Sequence, residues 1–265
     1  MAGVPLGLVL FAAGAAMPAR AADWLGGSAL RGTLSAAPMS WAGFYAGGDF
    51  ALGNAHADFG DSAHDMIAYM SRNSVLQSEE HPEDWTTLGT ANGRWTSYGG
   101  FVGYNTQWDG GLILGGELGY NYLSDDGTSS SDSMTRIVTP STGKDTVSID
   151  ASSSIKLKDY ATLRGRAAYD MGQFLPYAFL GLAVGRFEYS TTVTLNVSGV
   201  DNYVGTETDG KDNAISAGVD AGLGVDVALT SNFFLRGEWE YMVFAPLSGV
   251  RYTSNVFRGG VGVKF

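Results

Sequence analysis

Apolar and polar residues alternate along eight stretches of this chain. In residues 255–265, NVFRGGVGVKF, Phe257, Gly259, Val261, Val263 and Phe265 fall on one side. Arg258, Gly260, Gly262 and Lys264 fall on the other, which is the period of a β-strand. The same period predicts strands over residues 41–53, 95–107, 112–123, 157–170, 175–189, 214–229 and 233–244. In the first, Phe44, Ala46, Gly48, Phe50 and Leu52 oppose Tyr45, Gly47, Asp49 and Ala51. In the sixth, Ile215 to Val227 at alternate positions oppose Ser216, Gly218, Asp220, Gly222, Gly224 and Asp226. The fifth has apolar residues on both faces: Tyr177, Phe179, Ala183 and Phe187 on one, Leu180, Leu182 and Val184 with Arg186 and Glu188 on the other.

The connections alternate in length. Residues 54–94, 124–156 and 190–213 are long and polar; 108–111, 171–174 and 230–232 are tight turns; 245–254 is intermediate. Trp108-Asp109-Gly110-Gly111 carries the Asp-Gly hairpin signal. Loops as long as residues 54–94 are functional or disordered in most compact domains, and residues 65–75 within it can form a short helix. This rhythm predicts an all-β fold: an eight-stranded antiparallel up-and-down transmembrane β-barrel with long external loops and short periplasmic turns. Strands of about ten to fifteen residues are long enough to cross a bilayer when tilted. The last strand, paired with the first, closes the sheet and removes its edges.

An apolar outside places the charged positions inside. The inward set is Asp49, Glu117, Arg164, Arg166, Arg186, Glu188, Asp220, Arg236, Glu238, Glu240, Arg258 and Lys264, six acids and six bases. Equal numbers of both signs predict bridged pairs, since an unpaired enclosed charge is costly. Glycine pairs at Gly47-Gly48, Gly99-Gly100, Gly115-Gly116 and Gly259-Gly260 fall on neighbouring strands of the closed barrel. They suggest a glycine wall that makes room for an Arg/Glu wall across the lumen, so that the lumen is plugged or very narrow. Trp95, Trp108, Tyr122, Tyr169, Phe174, Tyr177, Phe233 and Phe244 lie near strand ends, where interfacial girdle residues belong.

Composition removes several function classes. The net charge is −11, which argues against nucleic acid as a partner. There is no cysteine, hence no disulfide, thiolate nucleophile or Cys-ligated metal. The three long connections and the intermediate one together hold 16 acids and 7 bases, an acidic crown suited to divalent cations that bridge lipopolysaccharide, or to a plain solvated surface. His56, His64 and His81 share the first long connection, but their spacing matches no metal or haem motif. Ser62, His64 and Asp65 are adjacent in sequence, which is not triad geometry. Neither 125–127 nor 209–213 completes a calcium loop. No catalytic residue, cofactor or metal site is assigned.

The start of the chain reads as a targeting segment: apolar residues 4–16 precede Ala19-Arg20-Ala21, an A-x-A cleavage pattern, although no Lys or Arg comes before the apolar run. The expected organisation is a signal peptide at 1–21, a periplasmic tether at 22–40 and the barrel at 41–265.

The sequence WAGFYAGGDFALG at 41–53 resembles the first-strand motif of the alphaproteobacterial outer-membrane immunogenic protein family, porin-like surface antigens. Trp41, Gly43, Phe44, Tyr45, Gly47 and Gly48 match it, and Ala21-Ala22-Asp23 resembles that family's mature start. The terminal Gly-Val-Lys-Phe resembles the signal read by the outer-membrane assembly machinery, which assigns Val261, Val263 and Phe265 to that contact. The resemblance covers the two ends of the chain and implies an eight-stranded barrel in the cell outer membrane, without established chemistry. The first reading is a structural or surface-antigen role in the envelope, with lipid and lipopolysaccharide as partners. The alternatives are a small porin, a lipid-acting barrel enzyme, and haem or metal binding through the first loop.

Overall fold

Strand alternation, carried through eight hairpin-linked segments, produces a closed sheet in the computed structural model, which describes residues 39–85, 88–125, 127–200 and 202–265. The expected signal peptide and all but the last two residues of the expected tether lie outside the described residues. The elements are β1 (Gly43–Asp58), α1 (His64–Ser71), α2 (Val75–Glu80), β2 (Thr90–Gln107), β3 (Leu112–Asp125), β4 (Thr128–Val138), β5 (Asp145–Tyr169), β6 (Phe174–Gly199), β7 (Tyr203–Ala228), β8 (Phe233–Phe244) and β9 (Arg251–Lys264). All pairings are antiparallel, and the sheet runs β3-β2-β1-β9-β8-β7-β6-β5-β4. It closes through β3 and β5, from Leu112 opposite Tyr169 to Tyr122 opposite Asp159. Eight strands form the ring, and β4 stands outside it, paired with the far half of β5.

β4 corrects the expected second loop. Most of the described residues in 124–156 and 190–213 are strand, not irregular connection: besides β4, they lengthen β5, β6 and β7 to 25, 26 and 26 residues. Ser and Thr on one face and Val or Ile on the other suit a half-buried strand as well as a polar loop. The inner face of this extension, with Val147, Ile149, Val193 and Leu195, packs with Ile67, Met70, Leu76 and Trp85 from the first connection. That connection folds into α1 and α2, where a helix over 65–75 is expected. Ser74 caps α2 by accepting the amide of Gln77 at 3.1 Å.

Outward residues between the two ends are apolar. Phe50, Val102, Leu118, Leu163, Leu182, Val219, Leu223 and Val261 are each at least half exposed. In water such a surface is an association hazard; facing hydrocarbon it is the expected one. Phe44, Tyr104, Trp108, Tyr169, Phe174, Phe233 and Phe265 project outward at the short-turn end, and Tyr98, Tyr120, Tyr122 and Tyr241 at the other. Trp95, Tyr177 and Phe244, expected in these girdles, point inward and are buried. Trp41, expected as the first residue of a strand, lies beside the short-turn end, where its indole donates to Gly172 O at 2.9 Å and Asn105 donates to its carbonyl at 3.1 Å.

Candidate functional site

The interior has three layers. At the short-turn end Met39, Trp41, Ile113, Ala168, Leu175, Ala228 and Phe234 form an apolar floor. At the long-strand end Trp95, Leu123, Leu157, Phe187, Met242, Phe244, Tyr252 and Val256 begin an apolar roof that continues into the helices. Between them lies a buried network of six carboxyl and four guanidinium groups.

The lower half is built on Asp226 and Glu117. Arg236 clasps Asp226 with two bonds, 2.9 and 3.1 Å, and donates to Glu117 at 2.6 Å. Arg166 reaches Asp226 at 2.8 Å and Glu117 at 3.3 Å. Tyr45 donates its hydroxyl to Glu117 at 2.9 Å and accepts from Arg166 at 3.0 Å. In the upper half Arg164 bonds Asp220 at 2.5 Å and also Glu240. Arg258 reaches Glu240 at 2.7 Å, Tyr160 OH at 2.8 Å and Asp49 at 3.5 Å. Asn121 donates to Asp49 at 3.1 Å and accepts from Tyr160 at 3.1 Å. Glu238 joins the halves: it accepts from Tyr177 at 2.7 Å on one oxygen, and Arg164 and Arg258 each stand 3.5 Å from the other. The guanidinium planes lie over rings, Arg236 on Phe101 (3.9 Å) and Arg166 on Tyr177 (3.8 Å).

The glycines explain how long side chains fit in so narrow a space. Tyr45, Gly103 and Glu117 are direct cross-strand partners in one row, and the Tyr45 ring passes over Gly103 to reach Glu117. Tyr177, Gly224 and Glu238 repeat the device, as do Arg164, Gly181 and Asp220, and Asp49, Gly99 and Asn121. Each of these bonds spans a strand whose inward position is glycine. The expected division into a glycine wall and an opposed Arg/Glu wall is therefore replaced by an interleaved pattern.

Asp49, Glu117, Arg164, Arg166, Asp220, Arg236, Glu238, Glu240 and Arg258, the residues read from the alternation, all lie in this network. Three others expected inside do not. Arg186 faces outward and pairs with Asp159, Glu188 faces outward with Lys158 at 2.9 Å, and Lys264 sits half-buried at the rim. On β6 the aromatic face with Tyr177, Phe179 and Phe187 turns inward, and Gly224 and Gly222 on β7 leave room for the Tyr177 and Phe179 rings. Asp226, Tyr45, Asn121, Tyr160 and Tyr177 belong to the network but not to the expected set. Asp226 shares the polar face of Asp220, which was the signal for it. The balance is thus six acids to four bases, not six to six.

At the end of β9, Val261 and Phe265 project outward and Val263 is half-buried; Phe265 N donates to Phe44 O at 3.0 Å. The histidines stay apart. His56 bonds Asn92 and His81 bonds Glu83, while His64 bonds Asp65 at 3.0 Å, which holds its imidazolium above the usual range. Among the described residues no group of three His, Cys, Asp or Glu is arranged to hold a metal. Ser62 donates to Phe59 O at 2.7 Å.

The closed antiparallel sheet, its apolar outer face and its buried polar interior define a membrane β-barrel. The family described as "Outer membrane protein beta-barrel domain" matches residues 6–265. The chain belongs to that family, and its place is the cell outer membrane. Among solved structures it is similar to Neisserial surface protein A (NspA), at 17% identity over 84% of this chain and 98% of that one, TM-score 0.36. It is also similar to Ail of Yersinia pestis (10% identity, 84% and 99% covered, TM-score 0.31) and to OprG of Pseudomonas aeruginosa (14% identity, 84% and 96% covered, TM-score 0.32). No curated protein matches the chain.

Proposed function

We propose that this protein is a structural, surface-exposed component of the outer membrane whose lumen is plugged by its own side chains. One observation carries the reading: a network of both signs, bonded across the lumen from β3 to β8 and from β5 to β9, lies between an apolar floor and an apolar roof. An eight-stranded barrel is just wide enough to be filled by its side chains, whereas a selective pore gains from a ring of one sign. On this reading the polar β4–β7 extension and the two helices form the exposed antigenic cap, and no catalysis is involved. Outer-membrane lipid and lipopolysaccharide surround the apolar belt, and the strand bearing Val261, Val263 and Phe265 is what the assembly machinery grips.

The test is single-channel conductance of refolded protein in a planar bilayer, with heat-modifiable gel mobility as proof that the barrel has formed. A folded, silent protein is expected. Steady, discrete openings would replace this reading with that of a small porin.

A further inference from the structure

The outward face of β2, β1 and β9 changes character at the long-strand end. Thr96, Leu52 and Phe257 form one cross-strand row. Above it lie Arg94, Asn54 and Asn255, then Asn92, His56 and Thr253, then Thr90, Asp58 and Arg251. In the row below all of these, Tyr98 and Phe50 are exposed and belong to the apolar belt. Arg94 stands four residues above Tyr98, about 13 Å along the strand. That is the depth of lipid headgroups over a tyrosine girdle.

The connections at this end are acidic, with 16 acids to 7 bases. The two middle rows nevertheless carry no carboxylate. They present one guanidinium, one imidazole, three amides and a hydroxyl. His56 Nδ1 lies 2.8 Å from Asn92 Oδ1, which occupies the acceptor of that amide and leaves its NH2 to donate. In the top row Arg251 is turned to Asp61 at 3.3 Å. On the opposite wall Arg186 is held by Asp159, and Lys158 by Glu188 at 2.9 Å. Arg94 is exposed and has no ion pair or hydrogen bond among the described residues.

Beside Arg94 the wall is hollow. Thr96 and Ser124 are cross-strand partners with short side chains. They lie above the packed rings of Tyr98 and Tyr122, whose centroids are 5.6 Å apart. Leu52 and Phe257 line the other side of an open cleft of about 810 Å³, the size of a ligand pocket. A cation, two hydroxyls and an apolar rim thus meet where the belt ends. The fork of a guanidinium matches a phosphate, and such a bond is stronger than a neutral one.

We propose that this cleft binds the phosphate of an outer-leaflet glycolipid. Arg94 supplies the cation, Thr96, Ser124 and Asn54 supply donors, and Leu52 and Phe257 lie against the acyl chains. A free phosphate would leave those two apolar side chains uncovered; a lipid covers them. The proposal rests on the reading that outer-membrane lipid surrounds the belt, and it holds whether or not the lumen conducts.

Amide NMR of the protein refolded in alkyl maltoside micelles, which carry no phosphate, tests it. Bisphosphorylated lipid A is the probe. Saturable shifts are expected around Asn54, Arg94, Thr96 and Asn255. Arg94→Ala should weaken the apparent affinity roughly tenfold, the loss of one charged bond. Arg186→Ala should leave it unchanged. Dephosphorylated lipid A and inorganic phosphate at the same concentrations should shift nothing there. No shift in the wild type overturns the proposal, and is the result if a neighbouring acid already holds Arg94. Shifts that ignore Arg94→Ala, or that dephosphorylated lipid A reproduces, overturn it too. Equal shifts from inorganic phosphate would make this a free-anion site and overturn the lipid assignment. The two lipid A forms decide the matter on the wild type even if the variant fails to fold. None of these results bears on the plugged lumen, which conductance tests separately.

Discussion

The hydroxyl of Tyr45 donates to Glu117 across Gly103, three residues that sit in register on three adjacent strands. A tyrosine on the first strand thereby becomes a tie across the wall of the barrel. The tie exists because the residue between the two ends has no side chain.

That row predicts a sharp contrast among glycines. A Cβ at Gly103 meets the Tyr45 ring and, at 2.8 Å, the carbonyl of Gly116, whereas a Cβ at Gly259 or Gly237 meets nothing within 4 Å. Gly103→Ala is expected to lower stability by about 1–3 kcal/mol, the usual cost of overpacking. Gly259→Ala should leave it unchanged. Urea midpoints in detergent or vesicles compare the two; equal midpoints would remove the glycine rows from the account.

Arg236 spends all three of its bonds on acids of the lower half, joined to Asp226 twice and to Glu117 once. Arg236→Ala leaves two buried acids short of a partner, and about 3–5 kcal/mol is the expected loss. Arg166→Ala and Glu238→Ala should be destabilising for the same reason. Thermal or urea unfolding of the three, each checked for heat-modifiable mobility, measures this. Unchanged stability in all three would show that the network does not hold the barrel together.

Trp41 joins the start of the described chain to the turn between β5 and β6 and packs edge-on against Phe234, ring centroids 6.1 Å apart. Trp41→Ala is expected to cost about 3–5 kcal/mol, as loss of a buried tryptophan does. It should also open the floor to small reagents. A cysteine placed at Ile113, buried in that floor, should then be labelled faster in the Trp41→Ala background than in the wild type.

Glu79 ties α2 to the turn between β4 and β5: it accepts the amide of Ser141 at 2.8 Å and its hydroxyl at 2.7 Å. These bonds, side chain first and backbone second, hold its carboxyl below the usual range. A lowered folded value means that the tie contributes above the ordinary glutamate pKa, about 4.3. It is lost as pH falls through the lowered value. Because Glu79 is exposed, the effect is local. Hydrogen exchange in the β4–β5 turn should rise in Glu79→Gln and in acid, with barrel amides unmoved.

What the chain determines by itself is which residues face which way, because the pleat sends successive side chains to opposite sides whatever the strand pairs with. Nine network charges, the short turns and the apolar outer face follow from that local rule. Arg186 and Glu188 escaped it. Both faces of that strand are apolar, and the glycines that admit the Tyr177 and Phe179 rings lie on β7, a different part of the chain. The long polar segments escaped it too: residues 128–138 become a strand only because the far half of β5 offers an edge to pair with. Closure through β3 and β5, the register that sets Tyr45, Gly103 and Glu117 in one row, and the meeting of Asp220 with Glu240 on Arg164 were decided by tertiary structure alone. They depend on how far each strand slides against its neighbour around the ring, and no local pattern carries that distance.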